Sequence, residues 1–313
     1  MINFLKRLFK KQNQDGLKLQ AAYTHFFMAR KQYDNLKNIT EAEYKAFSQN
    51  GEDGIIDYLL SQLNINEPKF VEIGIGDYRE CNTRLLFEIR NANGLVIDAI
   101  SGLKNKVLKN IKLWKNNLTV LEKKIDSSNI NQTLQSTNFT ENLDLFSLDI
   151  DGIDYWIIKE LPINFSKIAV IEFNPNFGSK AKITVPNIKE FNRSNYHYSN
   201  LCFGASLSAV IQIMDEKNFT FVGTNQFRCN AFFVNKNYLK MINTNIPDQN
   251  NIDGFVNSYF RESRDENGNL NYLDKKEIIE KIKDCQVIDL TSGTEKKITV
   301  KDAVLSWQKD NLN

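Results

Sequence analysis

The sequence predicts an α/β protein with a seven-stranded, mostly parallel sheet, a terminal antiparallel hairpin and helices on both faces. From Lys69 onward, short apolar runs alternate with amphipathic helical stretches, which is the pattern of successive βαβ units. The run Ile168–Glu172 is apolar almost throughout, as expected for a strand buried on both faces. The last two strand candidates are too close in sequence for a parallel crossover, so we expect them to pair antiparallel.

The elements follow from the same patterns, read in chain order. Strands are predicted for the short apolar runs 70–74, 94–98, 118–121, 144–149, 168–172, 219–222 and 230–234. Helices are predicted where apolar residues recur with helical spacing, at 17–36, 55–63, 79–92, 103–114, 155–161 and 206–217. Beyond the sheet we expect an exposed helix at 275–284 and a small hairpin made of 287–290 and 297–300.

These sequence patterns divide the chain into three parts. Residues 1–45 are predicted as a helical extension, residues 46–240 as the α/β domain, and residues 241–313 as an extension with a helix and a small hairpin.

Composition excludes several classes of function. Lys and Arg number 40 against 38 Asp and Glu, a net charge of +2, so nucleic acid is not an expected partner. The four scattered cysteines lack C-x-x-C spacing, which is typical of a cytoplasmic protein and excludes a cysteine-based zinc site. No apolar run approaches the roughly 18 residues that span a bilayer.

The first eleven residues, Met1–Lys11, form a basic amphipathic pattern. On a helix, their apolar residues share one face and their lysines and arginine lie beside it. Two interpretations are open: peripheral contact with the anionic inner face of a membrane, or a terminal helix that packs on its own domain or frays.

Ligands of parallel sheets bind beyond the carboxyl ends of the strands. The first strand ends in Glu72-Ile73-Gly74-Ile75-Gly76, where alternating glycines permit a tight turn and close approach of a ligand. Asp98 ends the second strand and can accept hydrogen bonds from ribose hydroxyls. Arg79 stands where a dinucleotide fingerprint has its third glycine, which favours a nucleoside without a pyrophosphate.

These motifs resemble the cofactor site of class I S-adenosylmethionine-dependent methyltransferases. The segment Ser48–Asp53, Asn82-Thr83 and the strand end Leu148–Gly152 are similar, more narrowly, to the FkbM-type branch. The resemblance covers roughly residues 48–234 and implies a Rossmann-like fold with S-adenosyl-L-methionine as cofactor. The cofactor-binding residues that it implies are Gln49, Glu72, Gly74, Gly76 and Asp98.

The resemblance also implies a reaction and a pathway, and the sequence departs from it in two places. The branch is associated with O-methylation of sugars and polyketides, often in polysaccharide biosynthesis. Asp98 is followed by Ala99-Ile100 without the usual glycine, and the fourth strand ends in Asp-Ile-Asp-Gly where many relatives have Asp-Val-Glu-Gly.

Two neighbouring strand ends carry candidate catalytic groups. A sugar hydroxyl must lose a proton during methyl transfer, which needs a base or a metal that lowers its pKa. Asp149, Glu172 and Asn174 form the Mg²⁺ hypothesis, because oxygen ligands suit a hard cation, and Asp149 is alternatively the general base. Asp151 and Asp154 are open to a second interpretation, as caps of the following helix.

The stretch between Glu172 and Gly204 has little regular pattern and many aromatic and polar residues, which suits carbohydrate. His197 lies in it and is the second candidate base. Lys180 and Lys182 suit the phosphate of a sugar nucleotide, and a solvated loop explains them equally well.

The sequence therefore favours an S-adenosylmethionine-dependent O-methyltransferase that acts on a sugar, a surface glycan or its activated precursor, in the cytoplasm or at the inner membrane face. The alternative is a catalytically divergent binding protein of the same fold in capsule or surface-polysaccharide assembly. A nicotinamide-dependent dehydrogenase is disfavoured by the missing third glycine and the lack of a Tyr-x-x-x-Lys pair after the fourth strand.

Overall fold

The structure is a computed structural model that describes residues 2–114, 117–259 and 262–304, with side chains described from Gln14 onward. Its strands are β1 (Lys69–Ile73), β2 (Asn93–Asp98), β3 (Asn117–Glu122), β4 (Leu145–Leu148), β5 (Ile168–Glu172), β6 (Ile183–Thr184), β7 (Phe219–Thr224), β8 (Asn230–Asn235), β9 (Gln286–Asp289) and β10 (Lys296–Thr299). Its α-helices are α1 (Ile2–Ala29), α2 (Glu52–Gln62), α3 (Arg84–Ile89), α4 (Leu103–Leu108), α5 (Ile130–Ser136), α6 (Asp154–Glu160), α7 (Arg193–Tyr196), α8 (Leu207–Glu216) and α9 (Lys275–Ile282).

The main sheet has seven strands in the order β3-β2-β1-β4-β5-β8-β7. Strands β1 to β5 are parallel, whereas β8 is antiparallel to both β5 and β7. The predicted Rossmann-like fold class is therefore confirmed. Because the chain runs outward from β1 to β3 and then returns to β4, the strand order reverses between β1 and β4. A ligand-binding crevice is expected at the carboxyl ends of these two strands.

Both faces of this sheet are covered by helices. Alternate residues of β1 point to opposite sides, so Val71 and Ile73 pack in a core with residues of α5, α6 and α8. Phe70 packs in a second core with residues of α2, α3 and α4. This placement leaves the carboxyl edge of the sheet open for a site.

Several predicted boundaries were wrong. The helix predicted at 79–92 forms only at Arg84–Ile89, because the residues before it make a loop bound by Glu72. The predicted hairpin exists as β9 and β10, but β6 from the long irregular stretch joins it as a third strand. The helix predicted as exposed, α9, buries Ile278 and Ile282. The division into three domains stays a prediction.

The end of the first helix is tied to α2 and α3 through one buried carboxylate. Asp57 accepts hydrogen bonds from Arg30 Nη2 at 2.5 Å, Tyr33 Oη at 2.9 Å and Arg90 Nε at 2.9 Å. The side chains of Met1–Lys11 lie outside the described residues, so peripheral membrane contact remains a prediction. Among the described residues, no helix is both long and apolar enough to cross a membrane.

The motif Ser48–Asp53 closes a loop around one carboxylate. Asp53 Oδ2 accepts the backbone N–H groups of Ala46, Phe47 and Ser48 at 2.8, 2.6 and 2.8 Å, and Asp53 is only 1% exposed. We expect Asp53→Ala to lower the free energy of unfolding by about 3–5 kcal/mol, because three buried donors lose their acceptor. Asp53→Asn, which keeps an acceptor oxygen, is the matched control. It should lower the free energy of unfolding, measured with urea, by much less.

The same residue gives a pH dependence. Burial raises the pKa of Asp53 to about 6, above its unfolded value of about 3.9. The folded state therefore binds the proton of the Asp53 carboxyl more tightly than the unfolded state does. The protonated carboxyl adds its full contribution to the free energy of unfolding below about pH 4, and this contribution is lost as the pH rises through about 6. Between pH 4 and pH 8, the free energy of unfolding of the wild type should fall by about 2–3 kcal/mol relative to that of Asp53→Asn. A constant difference between pH 4 and pH 8 would contradict the assignment.

Candidate functional site

A cleft of about 400 Å³ opens at the carboxyl edge of the sheet, where the strand order reverses. This volume lies within the usual range of small-molecule sites. Its lining comes from the ends of β1 to β4 and from the long segment after β5. Of the predicted site residues, the cleft brings together Gly74, Gly76, Asp98 and Asp149.

The two glycines of the turn after β1 have different structural roles. Gly74 has φ +88°, and a Cβ there would lie 1.6 Å from the backbone oxygen of Asp149. Only glycine therefore allows this turn to approach the end of β4. Gly76 has φ +56°, and a Cβ there would meet no protein atom within 4 Å. It is thus Gly76 that leaves open space in the cleft.

Asp98 joins the turn to the end of β2. Its Oδ2 accepts the N–H of Gly76 at 2.8 Å, and its Oδ1 accepts the N–H of Ile100 at 3.0 Å. Both bonds hold the carboxylate at the rim of the cleft. The backbone N–H of Ile100 thus helps to hold this acid in place.

Glu72 does not line the cleft and lies beneath it, only 3% exposed. Its Oε1 accepts the N–H of Asn82 at 2.7 Å, and its Oε2 accepts the N–H of Thr83 at 3.0 Å and also the Thr83 hydroxyl. Burial raises the pKa of Glu72 to about 7. In the structure, Asn82-Thr83 and Glu72 are thus one unit that orders the loop before α3.

Gln49 also lies outside the cleft lining. Its side chain is exposed, and its backbone oxygen accepts a hydrogen bond from Lys45 Nζ at 2.6 Å. Its neighbours Ser48 and Asp53 bond each other, since Ser48 Oγ accepts the N–H of Asp53 at 3.1 Å. The contacts of this motif are those of a folded loop, and its binding role stays a prediction.

Three carboxylates meet at the ends of β4 and β5. One oxygen from each of Asp149, Asp151 and Glu172 lies within 4.8 Å of the others. Asp149 directly follows β4 and Glu172 ends β5, so these two carboxyl groups belong to neighbouring strands. Burial, and then the charges of the neighbouring acids, raise the pKa of both well above the usual range.

One oxygen of this carboxylate cluster has no hydrogen-bond partner. Glu172 Oε2 is buried and unpaired, whereas Asp151 Oδ1 is paired with Arg193 Nη1. Three acids facing one arginine leave an excess of negative charge. A divalent cation would relieve this excess and would satisfy the unpaired oxygen, so the donor set fits a hard metal ion.

Asn174 lies close to the cluster in sequence, but its amide is already engaged. Its Nδ2 donates to the backbone oxygens of Leu201 and Phe203, both at 2.9 Å, and its Oδ1 accepts the N–H of Asn176 at 3.0 Å. These bonds hold the segment before α8 against the end of β5. Its role as a metal ligand stays a prediction, while Asp151 supplies the third acidic oxygen.

The alternative that Asp151 and Asp154 cap the next helix was wrong. The residue at the N-cap of α6 is Ile153, and no side chain caps this helix. Asp154 instead binds the loop before it, accepting the N–H groups of Ile150 and Gly152 at 3.0 Å each. Asp151 is left to face the cleft and Arg193.

His197, the second candidate base, does not line the cleft. Its Nδ1 lies 2.6 Å from Ser199 Oγ, and its ring stacks on Tyr198 with the centroids 4.6 Å apart. Burial, and then the charge of Lys281, lower its pKa. Its catalytic role stays a prediction.

Phe191 belongs to the aromatic stretch that the sequence pointed to, whereas Lys124, Glu190 and Arg193, which lie at or beside the cleft, were not predicted. Phe191 packs on Gly152, where a Cβ would lie 2.9 Å from its ring. Lys124 Nζ bonds Glu190 Oε2 at 2.8 Å and so connects the end of β3 with the long segment. Arg193 bonds Asp151 from the same segment. In the sequence, the aromatic content of the segment between Glu172 and Gly204 was the only local indication that this segment lies over the cleft.

Comparison with known proteins gave matches among solved structures only. No protein-family model matches the chain, and no curated protein does. A S-adenosylmethionine-dependent methyltransferase from Clostridium acetobutylicum is 10% identical, with 57% of this chain and 88% of that one covered and a TM-score of 0.34. The phosphoethanolamine N-methyltransferase 1 of Haemonchus contortus, described with S-adenosylhomocysteine, is 14% identical, with 69% and 44% covered and a TM-score of 0.28.

Two further matches align with this chain over only part of their own length. The small RNA methyltransferase HEN1 is 12% identical, with 58% of this chain and 25% of that chain covered and a TM-score of 0.35. The pyocyanin biosynthetic protein PhzM is covered over 54% of its length, at 12% identity and a TM-score of 0.33.

Proposed function

We propose that the protein is an S-adenosylmethionine-dependent O-methyltransferase that acts on a carbohydrate, either a sugar, a surface glycan or its activated precursor. The observation that carries the proposal is the cleft itself. It combines a glycine turn, the rim acid Asp98 and a carboxylate cluster at the point where the strand order reverses.

The residues of the cleft fit a nucleoside cofactor. The space next to Gly76 admits a ligand close to the backbone, and Asp98 is held where it can accept hydrogen bonds from ribose hydroxyls. When bound, S-adenosyl-L-methionine supplies an electrophilic methyl group. The protein then has to exclude water and to align the acceptor hydroxyl, and Phe191 and the Lys124–Glu190 pair are placed to cover the cleft.

The carboxylate cluster is proposed to remove the proton of the acceptor hydroxyl. In the alternative without a metal, the ionised form of Asp149 is the base, and the raised pKa of this carboxyl makes that form a stronger base. Asp149, Asp151 and Glu172 are proposed to hold Mg²⁺, with Asn174 as a further candidate ligand. When bound, such an ion lowers the pKa of a coordinated hydroxyl.

Calorimetric titration of the protein with S-adenosylhomocysteine tests the proposal. We expect micromolar affinity, and no binding of NAD, which serves as the control. Failure to bind S-adenosylhomocysteine would refute the methyltransferase assignment and would favour the alternative, a divergent binding protein in polysaccharide assembly. Binding of NAD alone would mean that the glycine turn serves a dinucleotide.

A further inference from the structure

The first helix, α1, is attached to the rest of the protein by one face. Phe26 is only 2% exposed and packs in a small core together with Phe47 and Leu85. Asp15, on the same side of the helix, forms an ion pair with the buried Arg84 at 2.8 Å. These contacts fix one side of α1 against the domain, so the opposite side faces outward.

The outward side of α1 is exposed and almost free of charge. Of the exposed residues between Leu17 and Met28, only Lys18 is charged. Tyr23 and Phe27 are one helical turn apart, and Met28 lies eleven residues after Leu17, so helical spacing places them along one broad side. This outer face of α1 consists of four large side chains that are each 54% to 68% exposed: Leu17, Tyr23, Phe27 and Met28. A solvated helix face normally carries charges, so these residues are typical of an interaction surface.

The charge of α1 is strongly basic. Its sequence contains one acid, Asp15, which is engaged with Arg84. Just beyond the helix, Lys31 Nζ lies 4.4 Å from the ring centroid of Phe27, which puts a positive charge at the border of the outer face. The basic residues within the helix are Lys6, Arg7, Lys10, Lys11 and Lys18.

These charges distinguish between two possible occupants of the outer face. A second copy of the chain would bring one basic helix against another, and like charges would repel each other. A surface of anionic phospholipid instead attracts the basic side chains and accepts the apolar ones at the boundary between headgroups and acyl chains. Charge complementarity therefore favours the lipid surface.

We propose that the outer face of α1 binds the surface of a membrane that contains anionic phospholipid. Leu17, Tyr23, Phe27 and Met28 supply the apolar contact, and the basic residues of α1 supply the electrostatic attraction. This contact extends well beyond Met1–Lys11, the segment that the sequence pattern singled out. It does not depend on methyl transfer, so it can be measured without cofactor or acceptor.

The test is flotation of the full-length protein with unilamellar vesicles, either of phosphatidylcholine alone or with phosphatidylglycerol as about one third of the lipid. Phe27→Gln removes an apolar side chain that is 68% exposed, and glutamine is a good helix former. Ile163→Gln is the matched control, because Ile163 is 63% exposed and lies in the loop before β5.

A second pair of variants tests the charge. Lys10→Gln combined with Lys11→Gln removes two basic residues of α1. Lys296→Gln combined with Lys297→Gln is the control, because these lysines are also adjacent in sequence and are exposed on β10.

We expect the wild type to bind the anionic vesicles about 10-fold or more tightly than the neutral ones, with a smaller difference at high salt. Phe27→Gln and the Lys10/Lys11 variant should each bind the anionic vesicles about 5-fold or more weakly, whereas both controls should stay within about 2-fold of the wild type.

Equal binding by Phe27→Gln, equal binding to both kinds of vesicle, or no binding by the wild type would each overturn the proposal. Sedimentation velocity tests the other occupant: a wild-type dimer that becomes a monomer in Phe27→Gln would assign the outer face to a second copy and would also overturn it. A protein that floats with anionic vesicles but fails to bind S-adenosylhomocysteine would refute the methyltransferase function and leave the membrane contact standing.

Discussion

Replacing Gly74 with alanine is expected to lower the free energy of unfolding by about 3 kcal/mol or more and to weaken S-adenosylhomocysteine binding at least 100-fold. The new Cβ would lie 1.6 Å from the backbone oxygen of Asp149, and φ is +88°. The turn and the end of β4 must therefore move apart, which displaces both Asp149 and the glycine turn. Urea unfolding and calorimetry measure the two effects.

A side chain at Gly76, unlike one at Gly74, would extend into the open space of the cleft. We expect Gly76→Ala to lower the free energy of unfolding by about 1–2 kcal/mol, because alanine is strained in the left-handed conformation. The same variant should bind S-adenosylhomocysteine at least 10-fold more weakly. Gly102→Ala is the matched control, because Gly102 has φ +70°, has open space around its Cβ and lies outside the cleft. Equal cofactor affinity in the Gly76 and Gly102 variants would place the ligand elsewhere.

Asp149→Asn is expected to reduce turnover at least 100-fold while cofactor affinity stays within 3-fold. The amide preserves the shape of the side chain but can neither accept the proton of a hydroxyl nor contribute a charge to a metal. Turnover is measured as formation of S-adenosylhomocysteine in the presence of a panel of saccharide acceptors. Manganese binding, followed by electron paramagnetic resonance, should be lost in the same variant.

Asp144→Asn is the matched control, since Asp144 precedes β4 at the opposite edge of the sheet. Its carboxylate accepts the N–H of Lys69 at 2.8 Å and bonds Lys167 Nζ at 2.7 Å. Its replacement should lower stability but preserve turnover and manganese binding. Undiminished turnover in Asp149→Asn would remove this residue from the catalytic list.

The carboxylate cluster also predicts a conflict between function and stability. Because the folded pKa of Asp149 is raised, its charge destabilises the metal-free protein at high pH. Metal-free Asp149→Asn should therefore be more stable than the wild type at pH 8, and the difference should shrink toward pH 4. A less stable variant at pH 8 would mean that the carboxylate is compensated in the metal-free fold.

The strands were predictable because each one is a local pattern. The apolar run at Ile168–Glu172 and the close spacing of β7 and β8 specify burial and antiparallel pairing within a few residues. Helix ends were less predictable, since α3 begins only where the hydrogen bonds of Glu72 to Asn82 and Thr83 end. Those bonds join residues ten or more positions apart, and no local pattern records them.

By itself, the sequence determined the parallel sheet with its antiparallel end, the glycine turn and the rim acid Asp98, because periodicity and turn chemistry act over neighbouring residues. Only the tertiary structure decided which acids meet and what covers them. Arg193 reaches Asp151 across 42 positions and Glu262 across 69, and the unpaired oxygens of Glu172 and Asn200 exist only once the chain has folded around them. Hydrogen bonding and burial between distant segments depend on packing, which leaves no periodic trace in the sequence.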